Sequence, residues 1–202
     1  MIAKKLPLAV LAMLVLALCL LPMTALAEDV APAADAPQFS DMPDDWSTAA
    51  LESAVANGLL TGAHGKIMPD GRLTRAEMAT IVARAFGAIK AADISAFSDV
   101  KISDWYHTGM ARAYGMGIIQ GAHNKLDPEQ PITREQVFTI LARAFKLQPE
   151  ETVTGSFSDL DQFSDWARGY GYALVNQGYI QGAQGKLNPQ GLITRAEFAQ
   201  VL

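Results

Sequence analysis

Leu73-Thr74-Arg75-Ala76-Glu77-Met78 returns, little changed, as Ile132-Thr133-Arg134-Glu135-Gln136-Val137 and again as Ile193-Thr194-Arg195-Ala196-Glu197-Phe198. Each copy is a helix start written in side chains. The threonine hydroxyl can accept from the amide three residues on, while Glu77, Gln136 or Glu197 reaches back to the threonine amide, a reciprocal capping box. Thr74, Thr133 and Thr194 are thus the N-caps. Leu73 with Met78, Ile132 with Val137 and Ile193 with Phe198 bracket the boxes as hydrophobic staples. Apolar residues then run at helical spacing through Ile81, Val82, Ala85 and Phe86, and through Ile140, Leu141, Ala144 and Phe145.

Other landmarks stand at fixed distances from the boxes. Gly62, Gly121 and Gly182 precede the threonines by 12 residues, and Trp46, Trp105 and Trp166 precede those glycines by 16. Phe39-Ser40-Asp41, Phe97-Ser98-Asp99 and Phe157-Ser158-Asp159 open the copies, 58 and then 60 residues apart. Length varies only between phenylalanine and tryptophan and in the connectors Gly87 to Ala96 and Lys146 to Ser156, where loops tolerate it. A period of this kind announces stacked supersecondary units.

Within each unit, Asp45, Asp104 or Asp165 is placed to cap a first helix beginning at the tryptophan. Gly58, Gly117 and Gly178 stand at its left-handed stop. Gly169 and Gly171 weaken the third copy's first helix by about 1 kcal/mol each relative to alanine, which close packing against a neighbour would explain. Lys66-Ile67-Met68-Pro69, Lys125-Leu126-Asp127-Pro128 and Lys186-Leu187-Asn188-Pro189 lie between the helices. Proline limits each to a short extended piece with at most one β-bridge. The expected fold is all-α, with helix-loop-helix modules at 39–86, 97–145 and 157–202 and short extended loop segments. The third closing helix stops at Leu202 without the turn that Ala85-Phe86 and Ala144-Phe145 supply, which suggests a truncated chain.

Residues 1–27 read as an export signal, with Lys4 and Lys5, an apolar run from Leu6 to Leu21, and Ala25-Leu26-Ala27 for cleavage. Contact with a membrane is thereby confined to export. Residues 28–38, rich in Ala and Pro, form a flexible leader. The signal takes with it two of the 16 Lys and Arg and none of the 21 Asp and Glu, leaving a mature net charge of −7. So acidic a chain lacks the basic footprint of a nucleic-acid binder. Cys19, the one cysteine, lies in the signal, which excludes disulfides and thiolate metal sites from the mature chain. His64 and His123 align but Gln184 replaces the third, so no zinc site is expected, and no cofactor is implied. Nothing in the pattern speaks to oligomeric state.

Arg75, Arg134 and Arg195 are the sharpest clue to function. A cation at the first helical position meets the positive end of the macrodipole, at about 0.3–1 kcal/mol of disadvantage. Two explanations fit. A bound carboxylate would meet free helix N–H groups and a guanidinium together, through charge-assisted bonds of about 1.5–3 kcal/mol. Alternatively, the arginines form structural ion pairs, for instance with the aspartate that opens another module. Trp46, Trp105 and Trp166 suit either a core or a groove wall. Lys66, Lys125 and Lys186 are solvated loop residues or secondary cations for an acidic glycan. Asp41, Asp99 and Asp159 are caps or arginine partners rather than ligands.

Taken together, the phenylalanine-x-aspartate opening, tryptophan-led helix, loop glycine and Thr-Arg-Ala-Glu helix start resemble the S-layer homology module in three tandem copies, from Phe39 to Leu202. The resemblance implies a pseudo-threefold assembly that binds secondary cell-wall polysaccharide, often pyruvylated, between neighbouring modules. Some similar modules hold peptidoglycan instead. It further implies that ligand contacts centre on Trp46, Trp105 and Trp166, on Gly62, Gly121 and Gly182, and on Arg75, Arg134 and Arg195. The expected function is non-enzymatic anchoring of an exported protein at the cell surface. A peptidoglycan-binding envelope protein, or a self-assembling or protein-binding scaffold, is the alternative. The second copy departs from the pattern at Glu135-Gln136, and the loops Gly-Ala-His-Gly, Gly-Ala-His-Asn and Gly-Ala-Gln-Gly replace the commoner Asp-Gly turn.

Overall fold

Each repeat folds as an opening helix, a tight hairpin and a closing helix. A computed structural model of the chain describes residues 38–202; the signal and all of the leader but its last residue lie outside the described residues. The helices are α1 (Thr48–Ala56) and α2 (Arg75–Ala85), α3 (His107–Gly115) and α4 (Arg134–Ala144), and α5 (Asp165–Asn176) and α6 (Arg195–Ala199). The fold is all-α, and between the helices run short extended pieces that form only isolated β-bridges among the described residues.

The closing helices start where the boxes place them. Thr74 and Thr194 accept from the Glu77 and Glu197 amides at 3.2 and 3.1 Å, and those glutamates return the bond at 2.9 and 2.8 Å. In the second copy Gln136 Oε1 accepts from Thr133 N–H at 3.2 Å, but the Thr133 hydroxyl is left short of a partner. Gly58, Gly117 and Gly178 stop the opening helices at φ of 66°, 72° and 76°. Each is a Schellman turn; in the first, Gly58 N–H donates to Val55 O and Leu59 N–H to Ala54 O.

The opening helices depart from expectation at their starts. α1 and α3 begin two residues after their tryptophans, because the preceding residues close a separate turn. There Asp45 accepts from the Ser47 amide at 2.8 Å, and Asp104 accepts from the Lys101 amide at 2.7 Å. Neither aspartate caps its helix. In the third copy Asp165 is itself helical and Ser164 is the N-cap. The capping carboxylate comes from elsewhere: Glu135 accepts from the Ser164 amide and hydroxyl, both at 2.9 Å. Gly169 and Gly171 do permit close packing. A Cβ on the first would meet Pro149 Cβ at 2.8 Å, and one on the second Phe163 at 2.7 Å.

The staple residues build the pseudo-threefold axis. Leu73 N–H donates to Ile193 O (3.2 Å), Ile193 N–H to Ile132 O (3.2 Å), and Ile132 N–H to Leu73 O (2.9 Å). This closed ring of backbone bonds is wrapped by side chains of the same three residues, each 0% exposed. Around it α2 packs on α3, α4 on α5, and α6 on α1, so every module's closing helix lies against the next module's opening helix.

Each closing helix is also plugged into its neighbour at the N-terminus. Arg75 and Ala76 N–H donate to Gln130 and Pro128 O, both at 3.0 Å. Arg134 and Glu135 N–H find Gly191 and Pro189 O, and Arg195 and Ala196 N–H find Gly71 and Pro69 O. With the box satisfying the third amide in α2 and α6, those helix ends have no free N–H groups to offer an anion, and at α4 only the Gln136 amide lacks its threonine acceptor. That part of the carboxylate explanation is overturned.

Candidate ligand grooves between modules

The arginines reach across the same junctions. Arg75 Nε donates to Leu126 O (3.0 Å), Arg134 Nε to Leu187 O (2.9 Å), and Arg195 Nε to Ile67 O (2.8 Å). Arg75 also reaches Gln120 O at 3.2 Å, and Arg195 reaches Thr61 O at 2.8 Å. A cation at a helix N-terminus is tolerated here because neighbouring carbonyl oxygens supply the missing negative charge. Burial lowers the pKa of Arg75 and of Arg195; Asp127 and Asp99 act against this at Arg75, Glu77 and Asp41 at Arg195.

Those carbonyls are aimed by the aspartates of the opening motif. Asp41 accepts from Ile67 and Met68 N–H at 2.7 and 2.9 Å, Asp99 from Leu126 and Asp127, and Asp159 from Leu187 and Asn188. The second residue of each pair is left-handed, with φ of 55°, 50° and 51°. At Asp41 burial works against the carboxylate, but the Ile67 and Met68 amides prevail and hold its pKa below the usual value. These aspartates therefore neither cap helices nor bond the arginines directly. They clamp the loop whose carbonyl the arginine needs.

Beyond their carbonyl bonds the guanidiniums look into three related grooves. The Arg75 groove, of about 590 Å³, takes its floor from module 2 (Gln120, Gln136, Arg143) and Trp166 from module 3. The Arg134 groove, of about 640 Å³, is floored by module 3 (Tyr179, Gln181, Glu197) with Trp46 from module 1. The Arg195 groove is far smaller, about 150 Å³, between Thr61, Glu77 and Arg84 of module 1 and Trp105 of module 2. Every groove therefore draws on all three modules.

Trp46, Trp105 and Trp166 are 62%, 67% and 53% exposed, which rules out the core reading and leaves a groove wall. The glycines have a packing reason. A Cβ on Gly62 or Gly121 would strike Phe39 or Phe97 of its own module, within 2.1 and 2.2 Å, and one on Gly182 would meet Lys186 O at 2.4 Å. Gly182 lines a groove; half-buried Gly62 and exposed Gly121 line none of the three. Lys66, Lys125 and Lys186 are exposed on tight hairpins, each paired by backbone with Ala63, Ala122 or Ala183, and line none of the three grooves.

Arg84, Arg143 and Tyr179 are groove residues that the motif reading passed over. The first two stand nine residues after Arg75 and Arg134, a recurrence visible in the sequence. Tyr179 replaces Leu59 and Ile118 at the same repeat position and stacks on Phe145 with centroids 4.5 Å apart.

Three repeats around a shared axis present three tryptophan–arginine grooves. The chain belongs to the S-layer homology domain family, which matches it at residues 38–79, 96–138 and 156–199. It is 34% identical over 183 residues to the surface-layer 125 kDa protein of Lysinibacillus sphaericus, covering 87% of this chain and 15% of that protein. It is 31% identical over 169 residues to the S-layer protein sap of Bacillus anthracis, covering 81% of this chain and 20% of that one. It is likewise 31% identical over 170 residues to exoglucanase XynX of Acetivibrio thermocellus, covering 81% of this chain and 16% of the enzyme. The chain thus spans a fifth or less of the length of these curated relatives. What it shares with an enzyme and with surface-layer proteins alike is the anchoring region. Family membership makes it a secreted, cell-surface anchoring chain that engages components of the cell wall.

Proposed function

We propose that the chain is a non-enzymatic anchor that grips a secondary cell-wall polysaccharide carrying acidic, pyruvate-type substituents. The observation that carries this reading is the threefold recurrence of an exposed indole facing a guanidinium across a groove. An indole face stacks on a sugar ring, and a planar guanidinium matches a carboxylate. The binding groups are Arg75, Arg134 and Arg195 with Trp46, Trp105 and Trp166, and the backbone around Gly182. Gly62 and Gly121 contribute by letting the loop close on Phe39 and Phe97. Glu197 pairs with Arg134 at 3.2 Å and Glu77 with Arg195 at 3.4 Å while each also closes its capping box, so they serve as positioning groups rather than as acid and base. Weak sites on one scaffold act together on a polymer, since each later contact is intramolecular.

Sedimentation of the mature protein with Gram-positive-type sacculi, native and stripped of non-peptidoglycan polymer, tests the reading. Recovery with native sacculi alone is the expected result. Equal recovery with both would transfer the ligand to peptidoglycan, and recovery with neither would leave the scaffold alternative.

A further inference from the structure

The residue three before each loop glycine lines a groove in every copy, and in the third copy it is a tyrosine. Leu59, Ile118 and Tyr179 directly follow the glycine stops, and each is fixed by a backbone bond to its own opening helix. Leu59 N–H donates to Ala54 O at 2.8 Å, Ile118 N–H to Ala113 O at 3.2 Å, and Tyr179 N–H to Leu174 O at 2.9 Å. The same local turn thus presents a side chain at the same place three times. Leu59 is half-buried and Ile118 is 1% exposed, whereas Tyr179 is 45% exposed. It is the one exposed tyrosine of the five in the chain.

Its ring is held in place. One face stacks on Phe145 of the preceding module, with centroids 4.5 Å apart and planes 3° from parallel. Phe145 in turn meets Phe86 edge-on at 5.2 Å, so the stack is anchored across all three modules. The exposed remainder of the phenol borders the groove of about 640 Å³ that Trp46 lines from module 1. What sets this groove apart is its second exposed ring. The Arg75 and Arg195 grooves each have a single aromatic lining residue, Trp166 and Trp105 respectively.

We infer that Tyr179 is the specificity-determining residue of the Arg134 groove, and that with Trp46 it forms a two-ring clamp for the C–H face of a sugar ring, indifferent to the ligand's charge. This rests on the wall-binding reading above and gives one groove of three a recognition the others lack. The electron-rich face of each ring suits the partly positive hydrogens of a sugar's C–H face. A phenol already stacked on Phe145 loses little freedom on binding. Leu59 and Ile118 offer no flat face, so neither of their grooves can repeat the clamp.

The test measures binding of the mature protein to native sacculi, to sacculi whose carboxyls are amidated with carbodiimide and methylamine, and to sacculi stripped of polymer. Tyr179→Ile installs the residue that module 2 carries. It is expected to bind native sacculi about fivefold more weakly, with a thermal midpoint within about 2 °C of wild type. Tyr179→Phe keeps the ring and is expected to recover most of that loss. In a Trp46→Ala background Tyr179→Ile is expected to cost less than about twofold, because the clamp is already broken; in a Trp105→Ala background it costs the full fivefold or so. A tyrosine that only packs on Phe145 would not distinguish the two backgrounds. The ratio of wild type to Tyr179→Ile is expected to persist on amidated sacculi. Should Tyr179→Ile not fold, nitration of wild type by tetranitromethane carries the test: native sacculi are expected to protect Tyr179, and unchanged nitration overturns the clamp. A folded Tyr179→Ile that binds native sacculi like wild type, or equal losses in both tryptophan backgrounds, overturns it and leaves the anchoring reading intact. A ratio abolished by amidation overturns the charge-indifferent contact. Wild type binding no sacculi sinks both readings. Loss of wild-type binding on stripping places the sugar ring in the polymer, and a ratio that survives stripping places it in peptidoglycan. Both support the clamp, and the second overturns the polymer ligand.

Discussion

The axis and the rim of this molecule are built by different rules. At the axis Leu73, Ile132 and Ile193 exchange backbone bonds in a closed ring and expose nothing. At the rim Trp46, Trp105 and Trp166 stand mostly in solvent, and their helices begin in different ways from copy to copy. The axis is where a repeat must match itself, because each copy's staple is the next copy's packing partner. The rim is free to diverge, since each groove is completed by three different modules. Divergence there changes which side chains line each groove.

Substitutions that cross this divide separate the two regions. Ile132→Ala, at the axis, is expected to lose about 2–5 kcal/mol in urea unfolding, through burial and cavity effects together. A loss under 1 kcal/mol would show the ring to be replaceable. Glu135→Ala removes the foreign cap of α5, and about 1–2 kcal/mol is expected, with loss of amide protection concentrated at Ser164 to Arg168. Uniform loss of protection over the chain would deny the local role.

Tyr106 lies at the inner edge of the rim and supplies a pH signature. Burial first, then the carboxylates of Asp104 and Glu129, push its phenol up from 10.0 to about 12. A phenol whose folded pKa is raised contributes stability that is whole below the unfolded value and lost as pH climbs through the folded one. Wild type should therefore show a falling thermal midpoint between pH 10 and about 12 that Tyr106→Phe flattens. An identical alkaline profile in the variant would assign that loss to other groups. Smallest in stability is Trp46→Ala, expected within about 0.5 kcal/mol of wild type because an exposed ring has little to lose. Its sacculus binding should nonetheless fall several-fold, and intact binding would remove the indole from the groove's chemistry.

Much of this was legible in advance, and the boundary follows the range of the interactions. Capping boxes, staples and glycine stops were readable from Thr74, Leu73 and Gly58 and their repeats, because each involves partners at most five residues apart. The starts of α1 and α3 were misplaced because Asp45 and Asp104 close turns of their own. The arginines were recognised as unusual, yet the first two N–H groups of each helix, expected to be free beside them, are occupied by carbonyls such as those of Gln130, Gly191 and Gly71. The glycines were tied to ligand contact by resemblance, whereas Phe39 and Phe97 give Gly62 and Gly121 a packing reason that spacing does not reveal.

The linear chain by itself determined the repeat, the helices and the buried staples, since these rest on local hydrogen bonding and on a periodicity that copies itself. Only the tertiary structure decided which carbonyls each guanidinium grips, which tryptophan faces it, and that Tyr179 lines the same groove as Trp46. Those partners lie 45 to 134 residues apart along the chain for the arginine–carbonyl bonds alone, and meet only when three modules close around one axis.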